Sequence, residues 1–147
     1  MALEYHNQEL TNNPLKKNYS IFENNNEVGY VTGEVGIENV LIATVNIFPE
    51  FQGRGIGFDA FEKIYYEINQ VEQIKIIRGV WCVSEEYNHC ENGMSSNLNE
   101  FQKHRQTKSD EESAFSTPTG KWVKKIGFNR INIISISNQE VIVDFFK

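Results

Sequence analysis

Cysteine is scarce in this sequence, which has only Cys82 and Cys90 among its 147 residues. A single pair cannot build the disulfide framework of a small secreted domain, so a reduced compartment is expected. Long apolar runs are also missing, since none approaches the roughly 20 residues that a membrane helix needs. The first ten residues include Glu4 and lack the apolar stretch of a secretory signal. Together these absences predict a cytoplasmic protein.

Basic residues are outnumbered, with 14 against 20 acidic ones, and the formal net charge is −6. Such a chain is repelled by the phosphates of bulk nucleic acid and attracts cationic partners. The composition is 39% hydrophobic, 12% aromatic and 23% charged, a globular balance that excludes a disordered or collagen-like chain. At this length we expect one domain that spans residues 1–147.

Hydrophobic patterning predicts a chain of the α/β class. The predicted strands cover residues 18–23, 28–34, 39–48, 74–83, 129–137 and 140–146. Three asparagines, residues 24–26, are expected to turn the chain between the first two strands. A helix is predicted from residue 55 to about 69, because apolar side chains recur there at spacings of three and four.

A second helix is clearly punctuated. Thr117 is a natural N-cap, Pro118 fits the first helical position, and Gly127 fits the left-handed position after the last turn. The polar segment 84–116 precedes this helix, and Asn97-x-x-Glu100 within it predicts the cap of a two-turn helix. A segment of this length in a small domain is usually functional or mobile.

The most informative stretch joins a predicted strand to the helix that follows it. Gly53, Gly55 and Gly57 alternate there. Glycines allow successive backbone N–H groups to point into one concavity, and a helix N-terminus adds unpaired donors and partial positive charge. Together with the guanidinium of Arg54, this arrangement predicts a pyrophosphate site.

Two other interpretations of these glycines stay open. They can simply permit tight packing between the strand and the helix. Alternatively, Gly55, Gly57 and Ala60 match the spacing of a dinucleotide-binding fingerprint, with Glu85 or Glu86 at the end of the next strand. That fingerprint normally follows the first strand of a longer chain, whereas here several strands come first. A P-loop is excluded, because no Gly-Lys-Ser/Thr follows.

Residues 52–57, Gln-Gly-Arg-Gly-Ile-Gly, resemble the Gln/Arg-x-x-Gly-x-Gly/Ala signature of the GNAT superfamily of N-acetyltransferases. Residues 49–51, Pro-Glu-Phe, are similar to its Pro-x-aromatic lead-in. Residues 124–128, Lys-Lys-Ile-Gly-Phe, resemble its second landmark, a helix that ends in Gly-Phe before the last two strands. The order of elements also matches, so the resemblance covers roughly residues 18–147 apart from the polar segment. It implies a twisted mixed sheet of six or seven strands with helices on both faces.

The resemblance also implies that acetyl-coenzyme A is the acetyl donor. Main-chain groups of Val45 and Ile47 would bind its pantetheine arm in a slot beside the strand 74–83. The Ile47 N–H would stabilise the oxyanion, and the Ser116 hydroxyl would reach the pantetheine. The residues implied to hold the pyrophosphate through backbone amides are Gln52, Gly53, Arg54, Gly55, Ile56 and Gly57.

This sequence departs from the family in three places. The two helices that line the acceptor site after the first strand are missing, since only about 17 residues precede the predicted strand at residue 18. Val123 stands where the family often has a Tyr that protonates the leaving thiolate, and Ser116 stands where it often has an Asn. Either another residue donates the proton, or the thiolate leaves as an anion, which a thiol pKa near 8.5 tolerates.

The polar segment 84–116 is interpreted as a substitute acceptor wall or lid, and a surface insertion is the alternative. Glu85, which follows the strand expected to flank the thioester, is the candidate base for the ammonium proton of the acceptor. Further candidates of lower rank are Glu86, Tyr87, His89 and His104. Cysteines and histidines in this region match no paired zinc-ligand template, so no metal site is predicted.

The predicted function is transfer of an acetyl group from acetyl-coenzyme A to a primary amine of a small molecule or protein. The acidic balance favours polyamines, aminoglycosides or lysine-bearing proteins as acceptors. The alternative is a catalytically inactive module that binds acyl-coenzyme A or another protein.

Overall fold

The computed structural model of the chain describes residues 2–84, 87 and 93–147. These residues form seven strands and four α-helices, which confirms the predicted α/β class with its six or seven strands. The chain divides into two compact units, Met1–Lys75 and Ile76–Lys147. Among the described helices, none has the length and apolar character that a membrane span requires.

The first unit is an antiparallel sheet, in the order β1-β2-β3-β4, with a helix packed against it. Its elements are β1 (Leu3–Asn7), β2 (Lys16–Glu23), β3 (Asn26–Val35), β4 (Val40–Ile47) and α1 (Ile56–Asn69). Gly33 of β3 lets α1 approach closely, because a Cβ at that position would lie only 2.6 Å from Cγ2 of Ile64. Ile21, Val31 and Ile68 are fully buried in this unit.

Strand β1 is not predicted by the sequence pattern, so the strand predicted at residues 18–23 is the second strand and not the first. The connection from β1 to β2, residues 8–15, contains no helix. The absence of helices after the first strand, which the sequence predicts, is therefore confirmed. The predicted turn is also confirmed: Asn24 and Asn25 have φ values of 52° and 65°, in the left-handed region that asparagine tolerates.

The second unit is a three-stranded antiparallel sheet with β7 in the centre, accompanied by three helices. Its elements are β5 (Ile76–Cys82), α2 (Ser96–Arg105), α3 (Asp110–Phe115), α4 (Pro118–Lys125), β6 (Arg130–Ile136) and β7 (Glu140–Phe146). Trp81 of β5 packs near Phe101 of α2 and Phe145 of β7, with ring centroids 6.0 and 6.2 Å away. These aromatic rings form much of the core of this unit.

The caps of α4 are those the sequence predicts. The side chain of Thr117 accepts a hydrogen bond from the Gly120 N–H, Pro118 is the first helical residue, and Gly127 has a φ of 97°. The predicted cap of α2 is wrong by two residues, because Ser95 is the N-cap and its Oγ accepts from the Leu98 N–H. Local caps compete, and a serine with extended backbone directly before the helix satisfies the orphan amide better than an asparagine inside it.

In its described residues, the polar segment 84–116 has two helices, α2 and α3, of which α3 was not predicted. Leu98 and Phe101 of α2 are fully buried, as is Ala114 of α3. The interpretation of this segment as a surface insertion is therefore wrong for the helical part, since that part supplies core side chains to the second unit. The few apolar residues of a polar segment were enough to anchor it, because each is placed on the buried face of its helix.

Candidate functional site

The loop after β4 has the backbone geometry of an anion-binding site. Residues Pro49–Phe51 make one 3-10 turn, and Gly55 is the N-cap of α1. Gly53 and Gly55 have φ values of +78° and +80°, in the left-handed region that favours glycine. A Cβ built on either residue would meet no heavy atom within 4 Å. These two glycines are thus required by the backbone conformation and not by close packing.

Several N–H groups at this loop have no protein acceptor. The Asp59 N–H bonds to the Gly55 carbonyl at 3.2 Å and makes the first hydrogen bond of α1. The amides of Ile56 and Gly57, in the first turn before it, therefore lack an intrahelical partner. In the described part of the chain, the N–H groups of residues 53–57 donate to no acceptor. Unpaired donors and the positive end of the helix dipole favour a bound phosphate group.

At the end of β4, alternate residues direct their main-chain groups away from β3. The Phe48 N–H donates to the Val28 carbonyl at 2.9 Å. Because hydrogen-bonded and non-bonded pairs alternate along an antiparallel ladder, Val45 and Ile47 direct their N–H and C=O groups to the other edge of β4. The side chain of Gln52 donates from Nε2 to the Ile47 carbonyl at 2.9 Å. This contact fixes the start of the loop against the strand. It occupies the Ile47 carbonyl and does not involve the Ile47 N–H.

Arg54, which is predicted to help hold a pyrophosphate, is paired with a carboxylate. Its Nη2 lies 2.7 Å from Oε1 and 2.8 Å from Oε2 of Glu23, the last residue of β2. The Glu23 side chain is 12% exposed and that of Arg54 is 45% exposed. No sequence pattern predicts this ion pair, because the partners are 31 residues apart.

Two tyrosines connect the β1–β2 hairpin to α1. The Tyr5 hydroxyl donates to Oδ2 of Asp59, and the Tyr19 hydroxyl donates to Oε1 of Glu67, both at 2.5 Å. Lys63 lies between them, 2.8 Å from Glu67 and about 5 Å from each tyrosine ring. Burial, followed by the hydrogen bond to a carboxylate, holds the pKa of each tyrosine well above its usual value of 10.0.

Two residues singled out by the sequence lie in the second unit, where Ser116 is hydrogen-bonded and Val123 is buried. The Ser116 hydroxyl donates to the Glu112 carbonyl at 2.8 Å, at the C-terminal end of α3. Its oxygen keeps acceptor capacity, which is what a pantetheine amide would need. Val123 of α4 is fully buried. An aliphatic side chain in the core can neither donate a proton nor present a surface to solvent.

The predicted base, Glu85, lies outside the described residues, as do Glu86, His89 and Cys90. His104 is described and lies on α2, with Nε2 3.4 Å from Glu100 Oε2. Over residues 2–84, 87 and 93–147, no three histidine, cysteine or acidic side chains gather as a metal site would require. The structure therefore brings together the loop residues with Val45 and Ile47, all within the first unit.

No family model matches the sequence. No curated protein matches it either. Solved structures do match, all at low identity. The spermidine/spermine N-acetyltransferase SpeG from Vibrio cholerae, in mutant forms, is 11% identical over 92% of this chain and 66% of its own, with a TM-score of 0.51.

Two further solved structures have the same architecture. A predicted streptothricin acetyltransferase from Bacillus anthracis, in complex with acetyl coenzyme A, is 9% identical over 92% of this chain and 64% of its own, with a TM-score of 0.51. An acetyltransferase of the GNAT family from Streptococcus pneumoniae is 7% identical over 92% of this chain and 70% of its own, with a TM-score of 0.53. The chain thus has the fold of GNAT acetyltransferases, as its sequence motifs predict. The chain spans 66% of the length of the Vibrio cholerae enzyme and 64% of that of the Bacillus anthracis protein.

Proposed function

We propose that this chain transfers an acetyl group from acetyl-coenzyme A to a primary amine of a small molecule or protein. The observation that carries the proposal is the loop at residues 53–57, where two glycines have positive φ and consecutive N–H groups have no protein acceptor. The fold supports it, because a structure with the same architecture was solved with acetyl coenzyme A.

The donor would be held mainly by main-chain groups. The amides of the loop would bind the pyrophosphate, with Arg54 adding a charged donor. The outward main-chain groups of Val45 and Ile47 would bind the pantetheine arm, and the Ser116 oxygen would accept a hydrogen bond from it. The amides proposed for the pyrophosphate are those of Gly53, Arg54, Gly55, Ile56 and Gly57. The Gln52 N–H, which the family resemblance adds to this set, donates to the Pro49 carbonyl at 3.3 Å and is left out.

The chemical step needs a neutral amine and a stabilised oxyanion. The nitrogen lone pair of the acceptor attacks the thioester carbonyl carbon, and the Ile47 N–H donates to the oxygen that becomes negative. The C–S bond then breaks and the electron pair leaves with sulfur, while the proton of the attacking nitrogen passes to a base or to water. We assign Glu85 as that base, because it follows the strand that ends at Cys82.

The thiolate would leave without a protein acid. Val123, at the position of the usual tyrosine, is fully buried and carries no proton. With a thiol pKa near 8.5, a thiolate is a good leaving group at neutral pH, so the reaction does not require the acid.

A module that binds acyl-coenzyme A without turnover is the second candidate, and the buried Val123 is the observation that favours it. Both candidates bind the coenzyme, but only an enzyme releases free thiol in the presence of an amine. The deciding experiment incubates the chain with acetyl-coenzyme A and, separately, with polyamines, an aminoglycoside and a lysine-bearing peptide. A reaction without amine corrects for thioester hydrolysis.

Thiol release that depends on an amine supports the enzyme. Coenzyme binding in calorimetry without release for any acceptor supports the module. Absence of both would contradict the proposed donor site itself.

A further inference from the structure

The contact between Glu23 and Arg54 places a carboxylate beside the proposed phosphate loop. We propose that Glu23 is a positioning residue that acts through Arg54: it is the resident counter-ion of the guanidinium and limits the affinity of the loop for the coenzyme phosphates. The inference rests on the proposed function, because it assumes that the loop binds this ligand. Its consequence is that removal of the carboxylate tightens coenzyme binding.

Both carboxylate oxygens of Glu23 lie close to the guanidinium of Arg54. One guanidinium nitrogen, Nη2, lies within 2.8 Å of both carboxylate oxygens. Arginine has five N–H donors, so those on Nε and Nη1 stay available for a phosphate. The Glu23 carboxylate is the more buried partner, at 12% exposure against 45% for Arg54. A phosphate approaching the loop thus meets a guanidinium whose charge is already balanced.

The position of Glu23 is fixed by its strand. Side chains alternate along a strand, so Glu23 projects from the same face of β2 as Tyr19 and Ile21. The neighbouring contacts from Tyr5 to Asp59 and from Tyr19 to Glu67 fasten the same hairpin along α1. Like Tyr5 and Tyr19, Glu23 therefore joins this hairpin to the loop or its helix through a side-chain hydrogen bond, a support that an ordinary mobile surface pair lacks.

Local charge makes the effect of this pairing large. Between residues 48 and 60, Arg54 is the only lysine or arginine, whereas Glu50 and Asp59 are acidic. With Glu23 paired to it, Arg54 adds no net positive charge to the loop. The positive end of the helix and the open amides are then the main attraction for an anion. Removal of one carboxylate restores a full positive charge to the site.

The test is calorimetric titration with coenzyme A of the wild type and of Glu23→Gln. We expect the dissociation constant of Glu23→Gln to be about three- to tenfold lower. The matched control is Glu27→Gln, which removes the same charge from an exposed position of β3, the strand paired with β2. That variant should stay within about twofold of the wild type, since a charge without a direct contact is screened by salt.

A double-mutant cycle with Arg54→Gln separates the contact from a structural effect. If Glu23 acts through Arg54, then Glu23→Gln has no effect on affinity in the Arg54→Gln background. Glu23→Asp gives a second test that keeps the charge. The shorter side chain withdraws the carboxylate from Nη2, so an intermediate gain in affinity is expected. Thermal unfolding of each variant verifies that it is folded.

Three results would overturn the inference. Equal gains in coenzyme A affinity for Glu23→Gln and Glu27→Gln would mean that net charge, and not the contact with Arg54, sets the affinity. A weaker or unchanged affinity for both Glu23 variants would mean that the carboxylate does not compete with phosphate. A folded wild type that binds no coenzyme A would refute the proposed function together with the inference, whereas the first two results leave the proposed function standing.

Discussion

At the scale of single residues, the loop after β4 depends on backbone conformation. Gly55 has a φ of +80° and an open space where a side chain would project. A branched residue can occupy that space but resists the positive φ, so the chain would either strain or rearrange. The backbone conformation that leaves the loop amides without a protein acceptor would then change. Function at this site is therefore sensitive to changes that leave the core untouched.

We expect Gly55→Val to weaken coenzyme A binding at least about tenfold, or 1.4 kcal/mol, in calorimetry. Gly36→Val is the matched control, because a Cβ at Gly36 also meets nothing within 4 Å while its φ is −106°, which any residue adopts. The control should bind like the wild type. Unchanged affinity in a folded Gly55→Val variant would contradict the site.

At the scale of elements, the β1–β2 hairpin is tied to α1 by polar contacts. Tyr5 and Tyr19 each donate to a carboxylate on α1, and Lys63 lies between their rings. The hairpin contacts α1 at its first turn and again two turns later, so it constrains the direction of the helix whose N-terminus forms the proposed phosphate site. This places the orientation of the site under the control of a strand far away in sequence.

The same contacts predict a dependence of stability on alkaline pH. The pKa values of Tyr5 and Tyr19 are raised in the folded state, so above pH 10 the unfolded chain loses these protons while the folded chain keeps them. Their contribution is complete below pH 10 and is lost as the pH rises further. We expect the stability advantage of the wild type over Tyr5→Phe/Tyr19→Phe, measured by urea unfolding, to shrink between pH 8 and about pH 11. A constant difference would refute the raised pKa values.

The burial of helix α2 argues against the interpretation of the polar segment 84–116 as a surface insertion. Phe101 is fully buried against Trp81, so Phe101→Ala should lower the free energy of unfolding by about 3–5 kcal/mol. Lys103→Ala changes an exposed side chain of the same helix and should stay within about 0.5 kcal/mol of the wild type. Chemical denaturation measures both. Equal small effects would mean that α2 is a dispensable surface element, contrary to its burial.

At the scale of the whole molecule, net charge bears on the choice of acceptor. A formal charge of −6 creates a negative potential that attracts polycations and repels polyanions. Attraction of this kind acts over the Debye length, which is about 10 Å at 0.1 M salt. It would therefore act on how often a cationic acceptor reaches the proposed site, and it would add nothing to the chemistry of the proposed transfer.

For an active chain, we expect the KM for a polyamine to rise at least about threefold when sodium chloride is raised from about 0.05 to about 0.3 M. The KM for a monoamine acceptor should change less, because it carries one charge. Steady-state kinetics at saturating acetyl-coenzyme A measures both constants. Parallel changes for the two amines would show that the net charge does not select the acceptor.

The sequence by itself determined the features that depend on a few neighbouring residues. The glycines of the loop, the caps Thr117 and Pro118 and the turn at Asn24 are all set by local backbone preferences, and the structure has each of them. The buried strands and α1 followed from periodicity, which reports the faces of an element without knowledge of its partner.

Only the tertiary structure decided the features that join distant parts of the chain. Strand β1 has five residues and little apolar character, so it is a strand only because its backbone pairs with that of β2 in an antiparallel ladder. Arg54 meets Glu23, and Tyr5 meets Asp59, across more than 30 residues. Such pairs depend on strand register and on the position of α1 over the sheet. No local preference encodes these two quantities, because they emerge when the buried faces of several elements are packed together.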